Sequence, residues 1–270
     1  MNKLHFKRLV VILILGYTII PIKINAQILH TESFAVILDS TRIFKGSIIP
    51  DFKFQNQKED IIEFENNTNI SYRLKNNAFT IANKIELTKV GEETLLSGGF
   101  VYLEYRKIIE KKYAFEPFAQ FHWKEPRGLE FKFAGGINYR YRIFVTQKLG
   151  VFFGTGPFYE YERWNYGGVK DALLPIDLTN VEQENIKLGS YLSFKWFSDY
   201  NFDLDISIYH QSRFNELFST PRLASSSSIT YNFTDHIGLI LAYQNIYDYK
   251  PLVPIDKLFN KVIMTIEVSF

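Results

Sequence analysis

The chain has 270 residues and no cysteine, with 17% aromatic residues from 25 Phe, 17 Tyr and 3 Trp, at a mean hydropathy of −0.10. No disulfide framework can form, and one long apolar run in the whole chain excludes a bundle of membrane-spanning helices. The 31 Lys and Arg stand against 29 Asp and Glu, so no basic excess points to nucleic acid as a partner.

The first element is a secretory signal. Lys3, Lys7 and Arg8 form a basic head, residues 9–20 an apolar run, and Ile24-Asn25-Ala26 a cleavage site before Gln27. Crossing a bilayer takes ~20 apolar residues, so this run is too short to span. Cleavage after Ala26 removes four bases and no acid, leaving 27 against 29 and a formal charge of −2. Residues 27–43 read as a periplasmic N-terminal segment whose apolar stretch, 34–38, can tuck into a barrel mouth.

From residue 44 to residue 270 the chain alternates apolar and polar residues with period two, the signature of strands with one oily face. Twelve strands follow in order. Their oily faces are marked by Phe44, Ile48, Phe52 and Phe54; Phe64, Ile70 and Tyr72; Phe79, Ile81, Ile85 and Leu87; Val101, Leu103 and Tyr105; and Phe115, Phe121 and Trp123. The sixth is the cleanest, with Leu129, Phe131, Phe133, Ile137, Tyr139, Tyr141 and Ile143. The seventh carries Leu149, Val151, Phe153, Tyr159 and Tyr161, and the eighth Ile186, Leu188, Leu192, Phe194 and Trp196. Phe202, Leu204, Ile206 and Ile208 mark the ninth, then Leu223, Ile229, Tyr231 and Phe233, then Ile237, Leu239, Leu241 and Tyr243.

The last strand sets Val262, Met264, Ile266, Val268 and Phe270 on one face. A terminal Phe closing such a strand resembles the sorting signal read by the barrel-assembly machinery of the bacterial outer membrane. Replacing Phe270 by Asp is therefore expected to reduce membrane-inserted protein several-fold, as read by fractionation. Undiminished insertion would refute this reading of the C-terminus.

Short links are expected at 75–77, 110–112, 146–147, 198–201 and 234–236. Longer ones are expected at 55–60, 90–97, 124–128, 164–184, 215–221 and 248–258. Short periplasmic turns alternating with longer external loops, and an even strand number, define outer-membrane barrels. Both termini then face the periplasm and the count closes at twelve, with ten and fourteen still open because the first and tenth strands are weakly patterned. Tyr72, Trp123, Tyr139, Tyr141, Tyr161, Trp196 and Tyr243 sit towards strand ends, where polar-tipped rings suit the headgroup level. The sequence thus predicts an all-β protein in the outer membrane of a Gram-negative bacterium, with lipid as its surroundings.

The stretches GGFVYLEYRKI (98–108), FEPFAQFHW (115–123), KFAGGINYRYRI (132–143) and GVFFGTGPFYEYERW (150–164) resemble a YdiY-like family of bacterial outer-membrane barrels of unknown function. The similarity runs from about residue 46 to 270. It implies an outer-membrane barrel and supplies no substrate, cofactor or catalytic residue. The Ala26-Gln27 junction and the aromatic richness resemble a Bacteroidetes-type source.

With the oily sets facing lipid, the intervening residues face a lumen. That set includes Glu104, Arg106, Glu130, Lys132, Arg140, Arg142, Glu160, Glu162, Asp203 and Asp205, within a balance of twelve acids and twelve bases. Unpaired buried charges cost several kcal/mol each, so these are expected to pair across the interior. A balanced lumen argues against a strongly charge-selective pore, which lines a constriction with one sign. It fits a narrow passive pore for small solutes or a structural barrel.

One tripeptide supports an enzymatic alternative. His210-Gln211-Ser212 resembles the His-x-Ser element of outer-membrane phospholipase A, a twelve-stranded barrel, and implies Ser212 as nucleophile and His210 as base. That site needs a third group to orient the imidazole. The neighbouring strand offers Ser225 and Ser227 where the phospholipase has Asn, and Arg213-Phe214 replaces its Asn-Gly, so no enzymatic activity is expected. Five dispersed histidines give no metal-ligand spacing, and Gly150, Gly154 and Gly156 fall inside a strand rather than in a phosphate cradle. No metal or cofactor is expected.

Overall fold

The computed structural model describes residues 43–56, 59–110, 112–198, 200–234 and 236–268. They form one antiparallel sheet of twelve strands in which each strand pairs with the next. The strands are β1 (Phe44–Asn56), β2 (Asp60–Leu74), β3 (Asn77–Val90), β4 (Glu93–Glu110), β5 (Tyr113–Lys124) and β6 (Leu129–Val145). They continue with β7 (Leu149–Trp164), β8 (Val181–Phe197), β9 (Phe202–Arg213), β10 (Arg222–Asn232), β11 (Ile237–Asp248) and β12 (Leu258–Val268). Only two short 3-10 turns, Glu125–Arg127 and Asp171–Leu173, interrupt this all-β chain among the described residues.

The sheet is rolled into a barrel. Lys261 on β12 lies beside Lys84 on β3, and Arg127 in the β5–β6 link stacks on Phe259 of β12, 3.5 Å from the ring centroid. Side chains therefore meet across the interior from opposite parts of the strand order. Outside, every strand leaves large apolar side chains uncovered: Phe52 and Ile81 on one side, Ile137, Ile186 and Ile229 on the other, and Met264 on β12 at 75%. A soluble protein does not expose an apolar band of this extent, whereas a membrane-spanning barrel requires one.

Three departures from the sequence reading concern links and faces. The 55–60 and 90–97 segments do not form long loops. β1 runs on to Asn56, and β3 and β4 join through Gly91-Glu92. Gly91 takes a left-handed backbone (φ 58°), which lets two residues reverse the chain. Long links therefore gather on one side of the barrel, at 165–180, 214–221 and 249–257. The 124–128 link is the 3-10 turn, closed by Gly128 at φ 78°.

The third departure is Leu129. It faces inward and is 1% exposed, because the β6–β7 register shifts between Leu129 and Phe131. A bulge adds one residue to a strand and so exchanges its faces locally.

Candidate functional site: the barrel lumen

Four layers fill the interior from the long-link end to the short-turn end. The first is an apolar cap. Trp164 at the end of β7 and Leu129 at the start of β6 pack with Val169 from the β7–β8 link and Val253 from the β11–β12 link. A Lys170–Asp256 ion pair of 3.0 Å ties the same two links together at the surface. Arg127 is buried beneath this cap. Burial and the neighbouring Arg222 lower its pKa to about 9, against the pull of Asp248, Asp256 and Glu162, so the guanidinium stays charged at neutral pH.

The second layer is a charge cluster drawn from five strands. Lys132 on β6 is fully buried and bridges Glu160 (2.6 Å) and Glu162 (3.0 Å) on β7. Lys187 on β8 also pairs with Glu160. Arg222 opens β10 and reaches Glu160 (3.3 Å), Glu162 (2.9 Å) and Asp248 on β11 (2.9 Å). The Trp164 indole N–H donates to Glu162 at 3.4 Å. These contacts exist because period two aims Glu160 and Glu162 inward from one strand and the curled sheet brings β10 round to meet them. Burial of this many charges is tolerable only because each has a counter-charge.

The third layer is aromatic. Tyr102, Phe118, Phe158, Tyr191 and Tyr209 line a cavity of about 40 Å³ with Gln120 and Gln211. That volume admits water but falls far below the roughly 300–1,000 Å³ of a small-molecule site.

The fourth is a second charge cluster near the short turns. Arg106 on β4 pairs with Glu104 (2.9 Å) and with Glu116 on β5 (2.5 Å). Arg140 on β6 reaches Glu116 at 3.4 Å and stacks on Phe152. The Tyr191 hydroxyl donates to Glu116 at 2.6 Å, and Tyr102 donates to Glu104 at 2.6 Å.

The β1–β3 side differs. Lys84 pairs with Glu65 (3.0 Å) and Glu86, and Lys124 with Glu86, but the Glu65 side chain remains 51% exposed. Lys53 and Glu63 are likewise exposed, 3.4 Å apart. This lane of the lumen is wet and carries both signs of charge.

Of the residues singled out from sequence, Glu104, Arg106, Lys132, Arg140, Glu160 and Glu162 lie in the two buried clusters. Asp205 pairs with Lys195 at 2.6 Å, and Asp203 accepts from Asn232 at 2.9 Å, apart from both clusters. Arg142 is half-buried at the short-turn end of β6. Glu130 leaves the lumen set. The bulge at Leu129 turns it to the outer rim, where it meets Arg163 (2.8 Å), Asn165 and Asn180. Phe270 lies outside the described residues. Sequence reasoning missed Arg127, Arg222 and Asp248. Arg222 had the inward parity opposite Leu223, but it falls between the expected 215–221 link and the first marked residue of the tenth strand, outside the inward set.

His210 and Ser212 do not form a catalytic pair. The His210 Nε2 sits 2.8 Å from the Leu217 carbonyl oxygen, because the 214–221 link folds back over the outer face of β9. The Ser212 Oγ is buried and has no hydrogen-bond partner among the described residues. Among those residues no three His, Asp or Glu side chains are grouped to hold a metal ion.

No curated protein matches the chain. Among solved structures it is similar to the NanC porin, at 10% identity and a TM-score of 0.43 over 84% of this chain and 99% of that one. It is also similar to the Pseudomonas putida toluene transporter TodX, at 10% identity and a TM-score of 0.37 over 84% and 79%. A third likeness is to the CymD monoaromatic hydrocarbon channel, at 10% identity and a TM-score of 0.33 over 84% and 86%. A family model described as "Protein of unknown function, DUF481" matches residues 59–270, and the chain belongs to that family.

Proposed function

We propose that the chain is an outer-membrane barrel without enzymatic activity, of the YdiY-like, Bacteroidetes type, which passes small solutes at most through a narrow lane beside β1–β3. Residues 1–26 serve as its signal, 27–43 as a periplasmic segment and 44–270 as the barrel. The observation that carries this reading is the cluster of Lys132, Glu160, Glu162 and Arg222, which stands in the lumen with its charges buried and mutually paired. A twelve-stranded barrel has a smaller interior than the 16- to 18-stranded porins that leave an aqueous channel, and long charged side chains fill it here. The open lane carries Lys53, Glu63 and Glu65, so no single sign lines it. The hydrolase alternative lacks support, since the imidazole of His210 is held by a backbone carbonyl and not by Ser212.

Planar-bilayer recording of the purified barrel tests the reading. Small, weakly selective conductance or none is expected. Steady large conductance with strong anion or cation preference would overturn it.

A further inference from the structure

The short-turn rim carries a run of lysines along one arc. Among the described residues, the turns joining β2 to β3, β4 to β5 and β6 to β7 carry Lys75, Lys112 and Lys148, with Glu110 ending β4 as the acid next to them. Because the strands follow one another around the barrel, the lysines form one continuous arc beneath β2–β7. Lys75, Lys112 and Lys148 are all exposed.

Lys107 gives this arc a direction. On β4 the outward set is Leu103, Tyr105, Lys107 and Ile109, and Leu103, Lys107 and Ile109 are all exposed. The lysine thus points to lipid from within the oily face, with an isoleucine beyond it. It pairs in register with Asn77, which accepts from the Tyr105 hydroxyl at 3.0 Å, and the adjoining turn is fixed by the Ile108 N–H donating to the Asn76 carbonyl at 2.8 Å. Lys75 therefore lies two residues before the register partner of Lys107, in the turn that this bond holds. The ring of Tyr113 continues the same rim, stacked on Tyr139 and tilted against Tyr141, each with its centroid 5.4 Å away. An ammonium on an outward register among tyrosines at the edge of an apolar band reaches the headgroup level, with its stem in the apolar layer.

We infer that this arc, centred on Lys75 and Lys107, binds the phosphate headgroups of anionic phospholipid in the leaflet surrounding the short-turn end. The inference rests on the membrane-barrel reading above, but its test is independent of whether the lumen conducts. Attraction of a basic segment to an anionic membrane surface is worth about fivefold in affinity per lysine and fades within a Debye length as salt rises.

The full-length barrel is reconstituted into nanodiscs of mixed phosphatidylglycerol and phosphatidylcholine, and the retained lipids are counted by native mass spectrometry. Phosphatidylglycerol is expected to be enriched over phosphatidylcholine in the native barrel, with the enrichment falling as ionic strength rises. Lys75→Gln with Lys107→Gln is expected to reduce it roughly tenfold or more, whereas Lys170→Gln with Lys250→Gln at the opposite end leaves it unchanged. All four positions are exposed, so each barrel folds. Equal retention of the two lipids, or an enrichment untouched by the Lys75 and Lys107 replacements, would overturn the inference. So would displacement of phosphatidylglycerol by millimolar inorganic phosphate, which would make the arc a site for soluble anions.

Discussion

Replacing Arg222 by alanine is expected to destabilise the barrel by about 3–5 kcal/mol, the cost of removing one partner from a buried ion cluster. Arg222 lies within 2.9–3.3 Å of Glu160, Glu162 and Asp248, carboxylates contributed by β7 and β11. Its removal takes from Asp248 the guanidinium 2.9 Å away and leaves Glu162 with Lys132 at 3.0 Å. Hydrophobic replacement of the arginine alone does not help, because the carboxylates remain. The double variant Arg222→Met with Asp248→Asn removes one charge of each sign and is expected to recover much of the loss. Equilibrium urea unfolding in detergent, followed by tryptophan fluorescence, measures both. A loss below 1 kcal/mol for Arg222→Ala would mean that water screens the cluster and that the interior is more open than its packing shows.

The second large effect is expected at Gly156. The β6–β7 register runs to Gly136↔Phe158 and resumes at Tyr139↔Thr155. Between them stands Pro157, which has no N–H to donate to a ladder. Gly156 lets the two backbones approach there: a Cβ on it would lie 1.9 Å from the Ile137 carbonyl oxygen and 3.0 Å from the Asn138 Cα. Both atoms are backbone, so no rotamer change relieves the clash and β6 must move. Gly156→Ala is expected to cost about 3 kcal/mol, the upper end for overpacking. Gly189→Ala is the control, since its Cβ would first meet the Phe158 ring at 3.4 Å, an ordinary contact. Equal melting of the two variants would show that the β6–β7 gap is not tight.

The strands were legible because period two needs no tertiary information. β7 shows why: its even positions from Gly150 to Trp164 are almost all buried and its odd positions are more exposed, as parity demands. The inward charges followed from the same parity. The failures share one cause, an event that shifts parity or reverses the chain by a single residue. The bulge after Leu129 moved that residue inside and Glu130 to the rim, and no residue in the Arg127-Gly128-Leu129 stretch marks a bulge by itself. Gly91 was visible as a glycine, but whether it closes a two-residue turn or sits in a loop depends on how far the strands pair beyond it.

The luminal aromatic layer was also on the page. Tyr102, Phe118, Phe158, Tyr191 and Tyr209 all have inward parity, but in a chain so rich in rings they were outweighed by their lipid-facing neighbours. The cap was not legible at all, because contacts between the 165–180 and 249–257 links are set by the curvature of the whole barrel.

The charge balance of the mouth has a consequence for the order in which the barrel is completed. Once β1–β9 are in place, Glu160 and Glu162 are matched by Lys132 and Lys187, and Arg127 adds one positive charge. β10 brings Arg222, a second. The acids that answer these two arginines, Asp248 and Asp256, belong to the end of β11 and the link that follows it. A ten-stranded intermediate therefore lacks the two carboxylates that face these arginines, and the C-terminal hairpin, with three acids and three bases over residues 237–268, supplies them as local charges and not as a net one. Their attraction acts only at close range, so it favours the hairpin once it is seated in register, and a chain truncated before β11 lacks both the strands and the carboxylates that complete this end of the lumen.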